Sequence, residues 1–190
     1  MIVIYGLGNN EKKYLNTKHN VGRLLLERLA NIEQLNFSLK NSFSYARNSE
    51  FSFVYSNGFM NVSGKPLFDF WQYFKLSSDD ILIILQDDSD QAEGLNKFVP
   101  GGGSAGHRGI NSIYEYLNSM GLKKENVWRL KIGIRPIENK LKSETFVLSA
   151  VTANDLNNLN KLSEIFLNSK NKQNLFEKKF SLIQNQINTK

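Results

Sequence analysis

A short apolar run rich in β-branched residues at Met1–Tyr5 predicts a buried strand, and the largely continuous apolar run Asp80–Leu85 a central strand covered on both faces. The second run gives way to Gln86, Asp87 and Asp88, where the strand is expected to end. Between them, Val21, Leu24, Leu25, Leu29 and Ile32 recur at helical spacing, with Asn20 placed as N-cap. Phe37–Ala46 and Glu50–Ser56 alternate and carry aromatics, so they read as two strands with a turn near Asn48. Asn57-Gly58 breaks that pattern, and a helix is predicted from about Pro66 to Phe74, since proline suits a first helical turn.

Further on, Asn96–Val99 reads as a short strand and the glycine-rich Gly101–Gly109 as the entry to a helix reaching Asn118. Trp128–Ile134 alternates like a strand, and Phe146–Leu148 reads as a brief strand or turn. Leu156, Leu159, Leu162, Ile165 and Phe166 share one face of a helix from Asn154. Phe176–Ile187 continues that helix or forms a second one, so a C-terminal helix and polar tail are expected from about residue 170. Strands alternating with helices place the chain in the α/β class, with a mixed, mostly parallel twisted sheet flanked by helices. With no repeat and no long linker, residues 1–190 read as a single domain.

Composition narrows the classes. Hydrophobic residues make up 41% and aromatics 12%, enough to build a core and to argue against disorder. No apolar run approaches the ~20 residues of a membrane span, and the N-terminus lacks a signal-peptide pattern. The absence of cysteine excludes disulfides and thiolate metal sites. A cytoplasmic, monomeric protein with no membrane partner is expected. Twenty-four Lys and Arg against eighteen Asp and Glu, net +6, favour an anionic partner such as nucleic acid.

Candidate chemistry gathers after the first strand. Gly6 and Gly8 permit a sharp turn, and Asn9, Tyr14, Thr17, His19 and Asn20 follow on one polar loop. This is not a dinucleotide fingerprint, because position 11 is Glu and no helix starts there. The chain has two histidines. A histidine beyond one strand and an aspartate, Asp87 or Asp88, at the tip of another would meet above the sheet. The carboxylate would orient the ring, leaving its other nitrogen to take a proton from water. With no Cys and no Ser in a nucleophile elbow, water is the attacking group; two histidines without HxxxH spacing argue against zinc. The cluster Pro100–Gly109 reads either as a flexible turn or as backbone amides set for an anion, the latter favoured by Arg108.

Several motifs then occur in order: Gly6-Leu7-Gly8-Asn9, Tyr14, Thr17–Gly22, Phe59–Gly64, Asp87-Asp88, Gly101–Ile113, Trp128–Ile134 and Phe146–Leu148. Together, over about 160 residues, they resemble bacterial-type peptidyl-tRNA hydrolase. The resemblance implies metal-independent, cofactor-free hydrolysis of the ester between peptide and tRNA, a translation-related activity with tRNA as partner. It implies His19 as the base and Asp87 as its orienting acid. It places Asn9, Tyr14, Asn61, Met60, Phe59, His107 and Arg108 at the substrate. The family's phosphate-clamping basic pair maps onto Val99 and Lys131, and Lys97, two residues earlier on the same face, is expected to replace the member lost at Val99. The chain departs from the family pattern at Asn10-Glu11, at Ser89–Ala92, and at Arg108, where an Asn is usual. The alternative is a catalytically impaired RNA-binding relative of the same fold.

Overall fold

A computed structural model of the chain describes residues 1–136, 142–168 and 187. The expected strands appear as β1 (Ile2–Gly6), β2 (Ser38–Leu39), β3 (Phe43–Arg47), β4 (Phe51–Ser56), β5 (Ile81–Ala92), β6 (Asn96–Pro100) and β7 (Val127–Arg135). They form one sheet in the order β2-β3-β4-β1-β5-β7-β6. β4, β1, β5 and β7 are parallel neighbours, while β3 and β6 run against them at either side. The helices are α1 (Val21–Ile32), α2 (Gly64–Tyr73), α3 (Arg108–Leu117), α4 (Ser143–Phe146) and α5 (Ala153–Asn168).

Alternation along the central strands divides the core. Ile2, Ile4, Ile81, Ile83 and Leu85 face α1 and α5, whose Leu25, Leu29, Leu159 and Leu162 cover them. Val3, Tyr5, Leu82 and Ile84 face α2 and α3, beneath Leu67, Phe70, Trp71, Ile110 and Ile113. The α/β class with a mixed, mostly parallel sheet therefore holds.

Several boundaries differ from the expectation. β5 does not end at Gln86 but runs to Ala92, because β7 continues to pair with it through Asp88 and again at Ala92 after β1 has stopped at Leu85. The strand expected over 37–46 is broken at 40–42, leaving β2 and β3. α2 begins at Gly64, two residues before Pro66. Phe146–Leu148 is the end of a short helix and a turn, not a strand. On α5, Leu156 is exposed, whereas Asp155 and Asn158 are buried by polar partners that hydropathy does not register. The C-terminal helix and tail expected from about 170 lie outside the described residues, apart from Ile187, which is helical and packs on the core.

Candidate active site

The carboxyl end of β1 delivers the first group of site residues, as open α/β sheets generally do. Asn9 and Asn20 grip each other: Asn20 Oδ1 accepts from the Asn9 amide at 2.8 Å, and Asn20 Nδ2 donates to the Asn9 carbonyl at 2.9 Å. Asn20 therefore does not cap α1 with its side chain, as expected from its position; it closes the loop instead. Asn9 Oδ1 accepts from the Met60 amide at 2.8 Å, which leaves its Nδ2 as the group free to donate. The backbone of His19 donates to the Val147 carbonyl at 2.8 Å and that of Lys18 to Ser149 at 2.9 Å, fixing the histidine from the opposite wall.

α1 then brings His19 against β5. A Cβ on Gly22 would overlap the Leu85 carbonyl, so only glycine allows the helix start to sit this close. Two residues beyond Leu85, Asp87 is almost fully buried, and its Oδ1 lies 2.9 Å from His19 Nδ1. Asp87 Oδ1 is also 2.9 Å from His107 Nε2, and the two imidazole centroids are 5.3 Å apart. Burial opposes ionisation of Asp87, but the facing imidazoles, His19 foremost, outweigh it and hold the carboxyl well below the usual carboxylate range. Burial likewise disfavours an imidazolium at His19, yet the Asp87 charge and hydrogen bond raise its pKa above the ordinary value, against a smaller opposing push from Arg108. With Asp87 ionised, the His19 proton belongs on Nδ1, and Nε2 is left with a lone pair. Asp88, the other candidate carboxylate, instead pairs with Lys131 at 2.6 Å and accepts from Gln91 at 2.9 Å.

These groups line a cleft of about 500 Å³. Asn9, Tyr14 and His19 come from the β1 loop, Phe59, Met60 and Asn61 from the turn after β4, His107 and Arg108 from the start of α3, and Val147 and Leu148 from beyond α4. Every residue expected at the catalytic or substrate site is thus brought to one cleft. Phe59 is half exposed at the rim, whereas Met60 is buried. Arg108 reaches across to Glu144 at 3.4 Å, both side chains being exposed. The expected anion cradle at the glycine cluster is not free: His107 caps α3, its Nδ1 accepting from the Gly109 and Ile110 amides.

The basic residues lie beside the cleft on β6 and β7. Lys97 pairs in register opposite Lys131, and Val99 opposite Arg129. Lys97 is exposed; Lys131 is tied to Asp88. Two further groups escaped the sequence reading. Gln86 is buried on the cleft floor, its Oε1 without a partner among the described residues. Arg129 is buried with Nε and Nη1 likewise unpaired. Their polarity was visible, but burial of a polar residue gives no signal in hydropathy.

His19, Asp87 and His107 could bring ligand atoms within 4.8 Å of one another, so the donor set alone meets the distance requirement of a metal site. The hydrogen bonding does not fit one: His107 has both ring nitrogens engaged, one by Asp87 and one by helix amides.

Comparison with known proteins points to one family. Residues 3–190 match the family model described as peptidyl-tRNA hydrolase. A peptidyl-tRNA hydrolase of Prochlorococcus marinus strain MIT 9301 is 34% identical, over 99% of this chain and 96% of that protein. One from Rickettsia canadensis is 34% identical over 78% of this chain and 80% of its own. Among solved structures, the Arg119Gln mutant of Acinetobacter baumannii peptidyl-tRNA hydrolase superposes with a TM-score of 0.81 at 25% identity, covering 100% of this chain and 95% of that one.

Proposed function

The chain belongs to the peptidyl-tRNA hydrolase family, and from that premise we propose that His19 activates the water that cleaves its substrate. The enzyme hydrolyses the ester joining peptide to tRNA. In our reading, Asp87 holds the His19 ring through Nδ1, and Nε2 takes a proton from water as the water oxygen attacks the ester carbonyl carbon. Charge developing on the carbonyl oxygen meets the Asn9 Nδ2 donor, with Asn61 beside it. As the ester C–O bond breaks, His19 returns the proton to the ribose oxygen, releasing tRNA and the peptide's carboxylic acid, which loses its remaining proton to solvent. The observation that carries this reading is the 2.9 Å contact of His19 with buried Asp87, in the same cleft as the oriented Asn9 amide.

Tyr14, Phe59, Met60 and Arg108 would contact the substrate around this centre, and Lys97 and Lys131 the tRNA phosphates. Among the described residues no helix is long and apolar enough to cross a membrane; a monomer acting in the cytoplasm completes the reading. The binding-only alternative finds no support in the comparisons. The test is release of tRNA from an N-blocked aminoacyl-tRNA in the presence of a chelator. Wild type should release it, and His19→Ala should be slower by about 10²–10⁴. Equal rates would remove His19 from the mechanism.

A further inference from the structure

His107 shares the carboxylate of His19, yet the reaction as described gives it nothing to do. The first amides of a helix have no acceptor within it. In α3 those of Gly109 and Ile110 point at His107 Nδ1, at 3.1 and 3.4 Å. A nitrogen accepting two N–H groups carries a lone pair and no proton. The hydrogen of the neutral ring is then on Nε2, 2.9 Å from Asp87 Oδ1. Protonating Nδ1 would set a donor against two donors at the positive end of a helix.

We infer that His107 is held by its own helix in the tautomer whose Nε2–H donates to Asp87, making it a positioning residue and neither a substrate ligand nor a metal ligand. The inference rests on His19 being the base. Its chemical consequence falls on that base. Asp87 Oδ1 is divided between two N–H donors, so it is a weaker partner for a charged His19 than an unshared oxygen would be. His107 thereby aims the carboxylate and limits how basic His19 becomes. The other charges around the pair are Arg108 from α3, Asp88 and Asp90 from β5, Lys131 from β7, and Glu144 from α4, all lining the cleft. None is altered by changing His107.

His107→Asn separates the two roles, because asparagine is among the best N-caps but too short to reach Asp87. Its kcat/KM should fall about tenfold, and the acid limb of its pH profile should move up by about half a pH unit, since an unshared Asp87 raises the basicity of His19. A limb that stays in place or moves down overturns the proposal. Wild-type protein supplies a second readout that does not depend on the variant folding. In ¹⁵N spectra the chain's two histidines are easily told apart. At neutral pH His107 should show its hydrogen on Nε2 and a bare Nδ1, the tautomer its partners dictate. A hydrogen on Nδ1 with Nε2 bare overturns the assignment. Full activity of His19→Ala would instead bring down the underlying reading, and this one with it.

Discussion

The His19 imidazole lies between a buried carboxylate that raises its pKa and the Arg108 guanidinium that lowers it. A general base works only when neutral, so kcat/KM should fall as pH drops through the His19 pKa. Because the net shift is upward, the midpoint of that acid limb should lie above the ordinary histidine value of about 6.5. Arg108→Asn removes an opposing charge and should move the limb higher, which a pH–rate profile of both proteins measures. Asp87→Asn should cost about two to four orders of magnitude in kcat, because the amide cannot stabilise the imidazolium and can favour the wrong tautomer. Of these residues, His19 was legible from its loop. The choice of Asp87 over Asp88 came only from the family resemblance, since by spacing adjacent carboxylates look alike until Lys131 claims one of them. Asn20 was placed correctly at the head of α1 but given the wrong task, because its partner, the backbone of Asn9, is a contact made by the loop's path.

At the scale of elements, the site depends on how closely α1 approaches β5 and how firmly α5 holds the loop before it. Gly22→Ala would drive a methyl into the Leu85 carbonyl and push His19 from Asp87; we expect destabilisation by about 1–3 kcal/mol in denaturant melts together with a loss of activity. Lys18, beside the catalytic histidine, is buried and bonds Asp155 of α5 at 2.5 Å. Asp155→Ala leaves that buried ammonium with only the more distant Glu93 carboxylate, at 3.9 Å, and should cost about 3 kcal/mol of unfolding free energy. Replacing both partners, as Lys18→Met with Asp155→Leu, should recover most of it in the same urea titration. Among the described residues, the sequence pattern located each of the longer strands and helices, though not all of their bounds. It misjudged β5 because polar side chains marked its end by composition, whereas the pairing of Gln86–Asp88 with β7 is what keeps the strand going. Lys18 and Asp155 were invisible for a related reason: each is polar on its own and becomes buried only because they meet across 137 residues.

For the whole molecule, the net charge of +6 acquires a direction from the sheet edge. Lys97, Lys131 and Arg129 stand on one face of β6 and β7 next to the cleft, but they do not contribute equally. Asp88 neutralises Lys131, and Arg129 is buried, whereas Lys97 is exposed and has no ion-pair partner among the described residues. Each phosphate neutralised releases counterions, so tRNA affinity should fall with salt at a slope of about 0.9 log units per contact on a duplex. Lys97→Ala should make that slope shallower by roughly one contact and weaken binding at low salt. Asp88→Asn should do the opposite: it frees Lys131, whose ammonium then turns to the RNA, so binding tightens and the slope steepens. Titrations of tRNA at several salt concentrations measure both. If Lys97→Ala leaves the slope unchanged while Asp88→Asn steepens it, the phosphate contact belongs to Lys131 alone, and the lysine at 97 does not replace the basic residue missing at Val99.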